Sequence, residues 1–450
     1  MKKKLSVFLA LALAVFMTVS AAFVPASAVS YKNDVKLNSK AVLLINMDTG
    51  QTVFEKNADK KVYPASTTKI MTYVVVAENI SNFKTTKVKI KQEVLNTLLG
   101  TGSSVAHVQS HVGQSMTVID LLYSMMVPSG NDAAVVLADF VGQGSIKKFV
   151  DMMNKKAKEL GCKNTHFANP DGLHDPKHYT TASDMARITQ YALTLPEFST
   201  ITNTTTYYVK GESFPLITTN YLIDANRGGN YYYQYAQGIK TGTTDEAGHC
   251  LVTMGAADGY SYLGVFMKNK FDPNHDVYGT MIDAKEMFRW ALTKLELNQV
   301  ASSETPICEQ KINLAWGKNS VQLVPEKNIN AIVPNDFKDS DIVIETDIPE
   351  SVDAPIKEGD VIGKATVYYK GKAADGKQKL GKVNLVSSES VERSGLLYIF
   401  SVVQGIFLSN WFIVVIAVIV VLLIIYIIIS SIIRRKNRKR RRNVKKYRNF

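Results

Sequence analysis

The sequence predicts an α/β domain, then a small all-β domain, then a C-terminal transmembrane helix. Three observations support this order: strand-like runs enclose a helical block, shorter alternating runs follow, and a charge-free apolar stretch lies near the end. We expect the α/β domain over residues 31–298 and the β domain over 303–388. An interfacial segment is expected over 394–410 and the membrane span over 411–433.

The chain starts with a predicted secretory signal peptide, residues 1–28. Three lysines at positions 2 to 4 precede a long apolar stretch, and the small residues Ala26 and Ala28 predict cleavage after Ala28. The alternative is an uncleaved membrane anchor, because the apolar stretch is longer than most leaders need.

The α/β domain is predicted from changes in hydrophobic period. Alternation at 41–46 and 51–55 around a turn predicts a β-hairpin, and apolar residues at helical spacing predict a helix over 66–79. A mainly helical block is expected next, with Ser183 as the N-cap of its last helix. Its helices are expected at 117–126, 132–141, 145–160 and 183–193, followed by strands at 237–241, 249–256 and 261–267 and a closing helix at 283–295.

The all-β domain is predicted from short alternating runs separated by turn residues. These runs lie at 319–324, 341–346, 364–369 and 382–386.

The membrane span is predicted from length and charge. No charged residue occurs over 394–433, and the apolar stretch 411–433 is longer than the roughly 20 residues needed to cross a bilayer. The tail 434–450 holds eleven Lys and Arg and no acidic residue, which predicts a cytoplasmic C-terminus. The folded part is therefore expected outside the bacterial plasma membrane. A buried helix of a soluble protein is the alternative.

The net charge of +13 comes from the two ends of the chain. Without the three leader lysines and the basic tail, the remaining residues carry a formal charge of −1. We therefore expect the tail to contact lipid headgroups and expect no nucleic-acid partner.

Three cysteines, Cys162, Cys250 and Cys308, do not form a disulfide framework, and the first two are predicted to be buried thiols. Two histidine pairs, His107/His111 and His174/His178, lack the further ligands of a catalytic zinc site and are interpreted as surface or structural residues. No metal or other cofactor is expected.

Ser66 and Lys69 are the first candidates for catalysis. They are three residues apart at a helix start, so both side chains project from the same face. A serine hydroxyl needs a base to accept its proton, and a lysine can be that base when burial or a nearby cation lowers its pKa. The same spacing occurs at Ser81/Lys84 and Ser145/Lys148, for which we expect a solvated loop and a helix N-cap.

Two more tripeptides distinguish Ser66 from these other serines. Ser129-Gly130-Asn131 occurs once, between two predicted helices, and Lys240-Thr241-Gly242 occurs once, on a predicted strand. Each alone is typical of an ordinary turn or strand end. All three in this order, in an exported chain, indicate an acyl-transfer enzyme.

With these motifs the sequence resembles the low-molecular-mass penicillin-binding proteins, the serine D-alanyl-D-alanine carboxypeptidases. The resemblance covers roughly residues 35–390. It is strongest at YPASTTKIMT from Tyr63, at NPDGL from Asn169 and at KTGTTDEAG from Lys240. It implies a β-lactamase-like serine transpeptidase/carboxypeptidase domain followed by a β-rich domain.

The resemblance also implies roles for the catalytic residues. Ser66 attacks the carbonyl of the penultimate D-alanine of a peptidoglycan stem peptide, and Lys69 accepts its proton. Ser129 relays a proton to the departing D-alanine. A β-lactam antibiotic would acylate Ser66 by the same attack.

Substrate-binding roles are implied for Asn131, Lys240, Thr241, Gly242 and Thr243. Asn131 hydrogen-bonds the peptide and helps to hold the catalytic lysine. Lys240 supplies positive charge and, with Thr241, receives the terminal carboxylate. The backbone N–H of Thr243, with that of the nucleophilic serine, forms the oxyanion hole.

The sequence departs from this family pattern in two places. A full membrane span and basic tail stand where family members usually end in an amphipathic helix on the membrane. Residues 224–237 look like an insertion rich in tyrosine, interpreted as a surface loop that packs on itself, with Arg227 as a candidate for carboxylate binding.

Two alternative functions stay open. A β-lactamase would need a dedicated deacylating carboxylate, and no suitable Glu lies near 169–173. A catalytically silent wall-binding or penicillin-sensing protein would not need the intact catalytic residues.

Overall fold

A computed structural model describes residues 31–270, 278–371 and 376–446. The predicted signal peptide, residues 1–28, and the last four residues of the predicted tail lie outside these ranges. Contacts divide the chain into two compact units. The first comprises the residues up to Val300 together with Ile329–Glu345 and Thr366–Lys382, and the second comprises Ala301–Asn328, Thr346–Ala365 and the residues from Val383. The domain boundaries predicted at 31–298 and 303–388 stay predictions.

The described residues up to Ala301 form ten strands. They are β1 Ala41–Asn46, β2 Thr52–Lys56, β3 Lys87–Lys89, β4 Ser115–Thr117, β5 Thr206–Tyr207, β6 Leu216–Ile217, β7 Ala236–Thr244, β8 Gly248–Ala257, β9 Tyr260–Asn269 and β10 Leu295–Ala301. Five of them form an antiparallel sheet in the order β2-β1-β9-β8-β7. The predicted hairpin and the three predicted strands after it are confirmed. Every residue of β1 is buried, which is typical of a strand in the interior of a sheet covered on both faces.

Eight α-helices lie in the described part of the first unit. They are α1 Lys69–Asn79, α2 Gln92–Leu95, α3 Val118–Met126, α4 Asn131–Val141, α5 Ile146–Glu159, α6 Ala182–Ala192, α7 Phe198–Thr202 and α8 Gly279–Lys294. The first eight residues of α1, Lys69 to Val76, are buried, which makes it the central helix of the core.

Helix starts differ from prediction by one to four residues, most at the closing helix, which begins at Gly279 and not at residue 283. Two of the differences concern residues with an expected role. Residues 65–68 form a 3₁₀ turn, so α1 begins at Lys69 and not at Ser66. The N-cap of α6 is Thr181 and not Ser183, because the Thr181 side chain accepts the backbone N–H of Asp184. Ser145 is confirmed as the N-cap of α5, where it accepts the N–H of Lys148.

The segment after β10 is built from strands. They are β11 Cys308–Asn313, β12 Ser320–Pro325, β13 Ile329–Pro334, β14 Ile342–Asp347, β15 Val352–Asp353, β16 Val361–Tyr369 and β17 Gln378–Ser387. Within the second unit, β11 pairs in parallel with β15 and antiparallel with β12, and β12 pairs antiparallel with the end of β17. The prediction of a β-rich segment is confirmed.

The described chain ends in two apolar helices, α9 Gly395–Leu408 and α10 Asn410–Lys446. The part of α10 from Asn410 to Lys439 is long and apolar enough to cross a membrane, by length and composition. The predicted C-terminal helix is thereby confirmed.

The two cysteines predicted to be buried, Cys162 and Cys250, are buried free thiols in the described chain. Burial raises the pKa of the Cys162 thiol to about 12 and that of the Cys250 thiol to about 11, which keeps both protonated and unreactive.

Candidate active site

Ser66 lies in the 3₁₀ turn that leads into α1. The preceding residue, Ala65, has a φ of +48°, a left-handed conformation that a non-glycine residue adopts only where its surroundings impose it. One such contact comes from Gly172: a Cβ atom there would lie 2.0 Å from the carbonyl oxygen of Ala65, so only glycine fits. The Thr68 hydroxyl also donates to that carbonyl at 2.7 Å. The turn that presents the serine is therefore fixed from two sides.

The Lys69 side chain is fully buried, and its amine contacts three oxygen atoms. Lys69 Nζ lies 2.9 Å from Ser66 Oγ, 2.6 Å from Asn131 Oδ1 and 2.7 Å from the backbone carbonyl oxygen of Asp171. Burial lowers the pKa of Lys69 to about 8, although the nearby carboxylates of Asp171 and Asp132 act in the opposite direction.

The three partners of Lys69 match the hydrogen-bonding capacity of a neutral amine. The amide oxygen of Asn131 and the carbonyl of Asp171 can only accept, so they take the two N–H groups. In the ammonium form the third N–H is donated to Ser66 Oγ, whereas in the neutral form the lone pair faces Ser66 and the hydroxyl donates. The geometry therefore allows a neutral Lys69 to accept the proton of Ser66.

Asn131 and Ser129 come from the connection between α3 and α4. Asn131 is the first residue of α4, and its amide also donates to Ser103 Oγ at 3.1 Å. The neighbouring Asp132 carboxylate accepts the backbone N–H groups of Ala106 and Val108, which holds the 103–108 loop beside the site. Ser129 is buried and has a φ of +69°, another strained conformation.

Strand β7 contributes Lys240, Thr241, Gly242 and Thr243. Lys240 is buried, and its amine donates to the Thr241 carbonyl at 3.1 Å. Burial, and then the charge of Lys69, lowers the pKa of Lys240 well below its ordinary value. A Cβ atom on Gly242 would lie 2.8 Å from the backbone nitrogen of Ser66, so the strand approaches the nucleophile at a distance that no side chain tolerates.

Two clefts meet at Ser66. The first, of about 290 Å³, contains Ser66, Ser129, Thr219, Thr241 and Arg227 among its lining residues. The second, of about 590 Å³, is also lined by Ser66 and by the loops around 101–104, 172–174 and 243–246. A substrate can therefore extend to both sides of the serine. The structure brings all eight predicted site residues together around this point.

Several contributors were not predicted individually from the sequence. His178 is buried, and burial lowers its pKa to about 3, so the ring is neutral. Its Nδ1 accepts the N–H of Ala168, which leaves Nε2 to donate to Thr68 Oγ1 at 2.8 Å. The expectation of a structural histidine holds for His178, which supports the turn before Lys69. The 169–173 loop, where the sequence shows only a family resemblance, contacts the Lys69 amine directly through the carbonyl of Asp171.

Comparisons with known proteins agree with this geometry. A family model described as D-alanyl-D-alanine carboxypeptidase matches residues 27–270, and a model of the penicillin-binding protein 5 C-terminal domain matches residues 296–393. The D-alanyl-D-alanine carboxypeptidase DacF of Bacillus subtilis is 28% identical over 371 residues, which are 82% of this chain and 89% of the relative.

Solved structures extend the similarity to the fold. The carboxypeptidase DacD of Francisella tularensis superposes with a TM-score of 0.64 at 26% identity, covering 80% of this chain and 95% of that one. Penicillin-binding protein 5 of Haemophilus influenzae gives a TM-score of 0.60 at 26% identity, covering 80% of this chain and 100% of its own. The chain therefore belongs to the D-alanyl-D-alanine carboxypeptidase family of serine peptidases and carries a C-terminal domain of the penicillin-binding protein 5 type.

Proposed function

We propose that this protein is a serine D-alanyl-D-alanine carboxypeptidase that removes the terminal D-alanine from peptidoglycan pentapeptide stems. The observation that carries the proposal is the buried Lys69 amine, 2.9 Å from the Ser66 hydroxyl and held by two acceptors. Such an amine can be neutral near physiological pH and act as a general base.

In the proposed acylation step, Lys69 takes the proton of Ser66 while Oγ attacks the carbonyl carbon of the penultimate D-alanine. The negative charge that develops on the carbonyl oxygen is stabilised by the backbone N–H groups of Ser66 and Thr243. Each donor of this kind contributes about 3 kcal/mol to transition-state stabilisation. The closeness of Gly242 to the backbone of Ser66 supports this pairing.

Breakdown of the tetrahedral intermediate releases D-alanine. Its amine receives a proton through Ser129, which lines the same cleft as Ser66. Lys69 supplies this proton to Ser129 and becomes neutral again. Water then attacks the ester and gives a proton to Lys69, which returns it to Ser66 Oγ as the shortened stem leaves. A β-lactam would acylate Ser66 by the same chemistry, and its slow hydrolysis would leave the enzyme blocked.

The direct test of this function is D-alanine release from a synthetic stem pentapeptide. We expect stoichiometric release of one D-alanine per peptide and its inhibition by prior treatment with penicillin. No release, together with rapid penicillin hydrolysis, would instead identify a β-lactamase. Absence of both D-alanine release and penicillin hydrolysis would identify a catalytically silent binding protein.

We further propose that α10 spans the plasma membrane once, with the folded part outside and the basic tail in the cytoplasm. The length of the apolar segment and the eleven Lys and Arg that follow it support this orientation. In a Cys308→Ser background, which removes the partly exposed free thiol of the folded part, a cysteine introduced near residue 445 should be protected from a membrane-impermeant maleimide in intact cells and labelled after permeabilisation. Labelling in intact cells would contradict the orientation.

A further inference from the structure

We propose that Arg227, carried by the loop between β6 and β7, binds the terminal carboxylate of the substrate and so provides the selection for a free C-terminus. This inference rests on the proposed function, because it assigns a partner to the leaving D-alanine. It concerns a residue outside the three motifs that define the catalytic residues.

The first support for the proposal is the position of Arg227. Its side chain lines the smaller cleft together with Ser66, Ser129, Thr219 and Thr241. Among the described residues that line this cleft, Arg227 is the one Lys or Arg, and none is an Asp or Glu. Several threonine hydroxyls complete the wall, and Thr219 Oγ1 lies 2.5 Å from Thr241 Oγ1. A guanidinium beside hydroxyl groups is a suitable environment for a carboxylate.

The loop holds Arg227 in place through an aromatic ring and a long ion pair with Asp224. The guanidinium carbon lies 5.4 Å from the centre of the Tyr221 ring, which in turn packs edge-on against Tyr278. Asp224 is buried, and its carboxylate accepts the backbone N–H groups of Asn226 and Arg227. That carboxylate is 3.9 Å from Arg227 Nη1, which is too long for a hydrogen bond.

The guanidinium therefore keeps hydrogen-bonding capacity for a ligand. Within the described residues, the guanidinium donates a long hydrogen bond, 3.4 Å, to the carbonyl of Thr218, and the side chain is 44% exposed. A planar guanidinium has five N–H donors and can bind a carboxylate through two parallel hydrogen bonds.

The family resemblance assigns the terminal carboxylate to Lys240. This lysine is less suited than Arg227 to carry a permanent positive charge. It is 1% exposed, does not line the cleft, and uses its amine to contact the Thr241 carbonyl. Its burial beside Lys69 also favours loss of its proton. An arginine stays charged at every relevant pH, so Arg227 can supply the charge while the two lysines serve the chemistry.

This proposal assigns a function to the insertion at residues 224–237. Within it Tyr233 packs edge-on against Tyr235, with ring centres 5.4 Å apart, as expected for a self-packing loop, and Tyr231 stacks 6.2 Å from Tyr221, which precedes the insertion. The same packing presents Arg227 to the cleft that contains Ser66. The loop would then select an exopeptidase substrate, because an internal peptide bond has no carboxylate at this distance from the scissile carbonyl.

The test compares a D-Ala-D-Ala peptide with the same peptide ending in a carboxamide. The wild type should prefer the free acid, and Arg227→Gln should lower kcat/KM for the acid by about 10- to 100-fold while leaving the amide nearly unchanged. Arg227→Lys keeps a positive charge without the planar fork and should retain part of the preference. Arg289→Gln is the matched control, since Arg289 is exposed and pairs with Glu286 on α8.

The outcomes separate this inference from the proposed function. Equal losses for acid and amide in Arg227→Gln would show that the residue only positions the loop, and unchanged kinetics would show that it does not bind the carboxylate. Either result overturns the inference while the function stands. Failure of the wild type to release D-alanine from the acid would overturn the function itself.

Discussion

Ser66→Ala should yield no covalent penicillin adduct, and D-alanine release should fall on the order of 10⁴-fold or more. The reason is that the variant lacks the oxygen that lies 2.9 Å from the Lys69 amine and would form the ester. The fold should persist, because the turn is held through Ala65, Thr68 and Gly172 and not through the serine hydroxyl. Intact-protein mass spectrometry after penicillin treatment measures the adduct directly.

Ser81 offers a matched control for this experiment. It stands three residues before Lys84, with the same spacing as the catalytic pair, but it is exposed and Lys84 instead pairs with Glu197 at 3.3 Å. Ser81→Ala should keep full acylation. A penicillin adduct of wild-type stoichiometry on the Ser66→Ala protein would show that another residue is the nucleophile.

Local patterns were sufficient to place most elements but not their partners. The hairpin of β1 and β2 follows from alternation around a turn, which is information carried by neighbouring residues. The pairing of β1 with β9, which joins Ala41 to Met267, could not be predicted this way. Periodicity reports which residues are buried, whereas the choice of a distant strand depends on packing of the whole core.

In the active site too, contacts between residues close in sequence were predictable and contacts between distant residues were not. One helical turn is enough to place Ser66 and Lys69 together, so their contact was predictable from spacing. The contact between Lys69 and the carbonyl of Asp171 was not predictable. Every residue has a carbonyl group, and only the path of the backbone decides which one lies beside the amine. The position of Arg227 also depends on contacts with Tyr221 across an irregular loop, for which the sequence has no periodic signal.

Lys69→Met should lower the rate of acylation by penicillin by about 10²- to 10⁴-fold or more, because the variant keeps the length of the side chain but has no base. Its stability should fall by about 1–3 kcal/mol, since the acceptors on Asn131 and Asp171 lose their donor. Lys84→Met, at the exposed pair, is the control and should acylate normally. Thermal unfolding of each variant shows whether the protein is folded when acylation is measured.

The pH dependence of the wild type tests the same base without any substitution. With a pKa of about 8, the Lys69 amine is largely neutral above that pH, and the neutral fraction falls about tenfold for each unit below it. The acylation rate should therefore rise with pH up to about 8 and then level off. The residual acylation rate of Lys69→Met should not show this rise with pH. A wild-type rate that stays constant between pH 6 and 9 would mean that the proton of Ser66 goes to another group, because a buried lysine cannot accept it without showing its own titration.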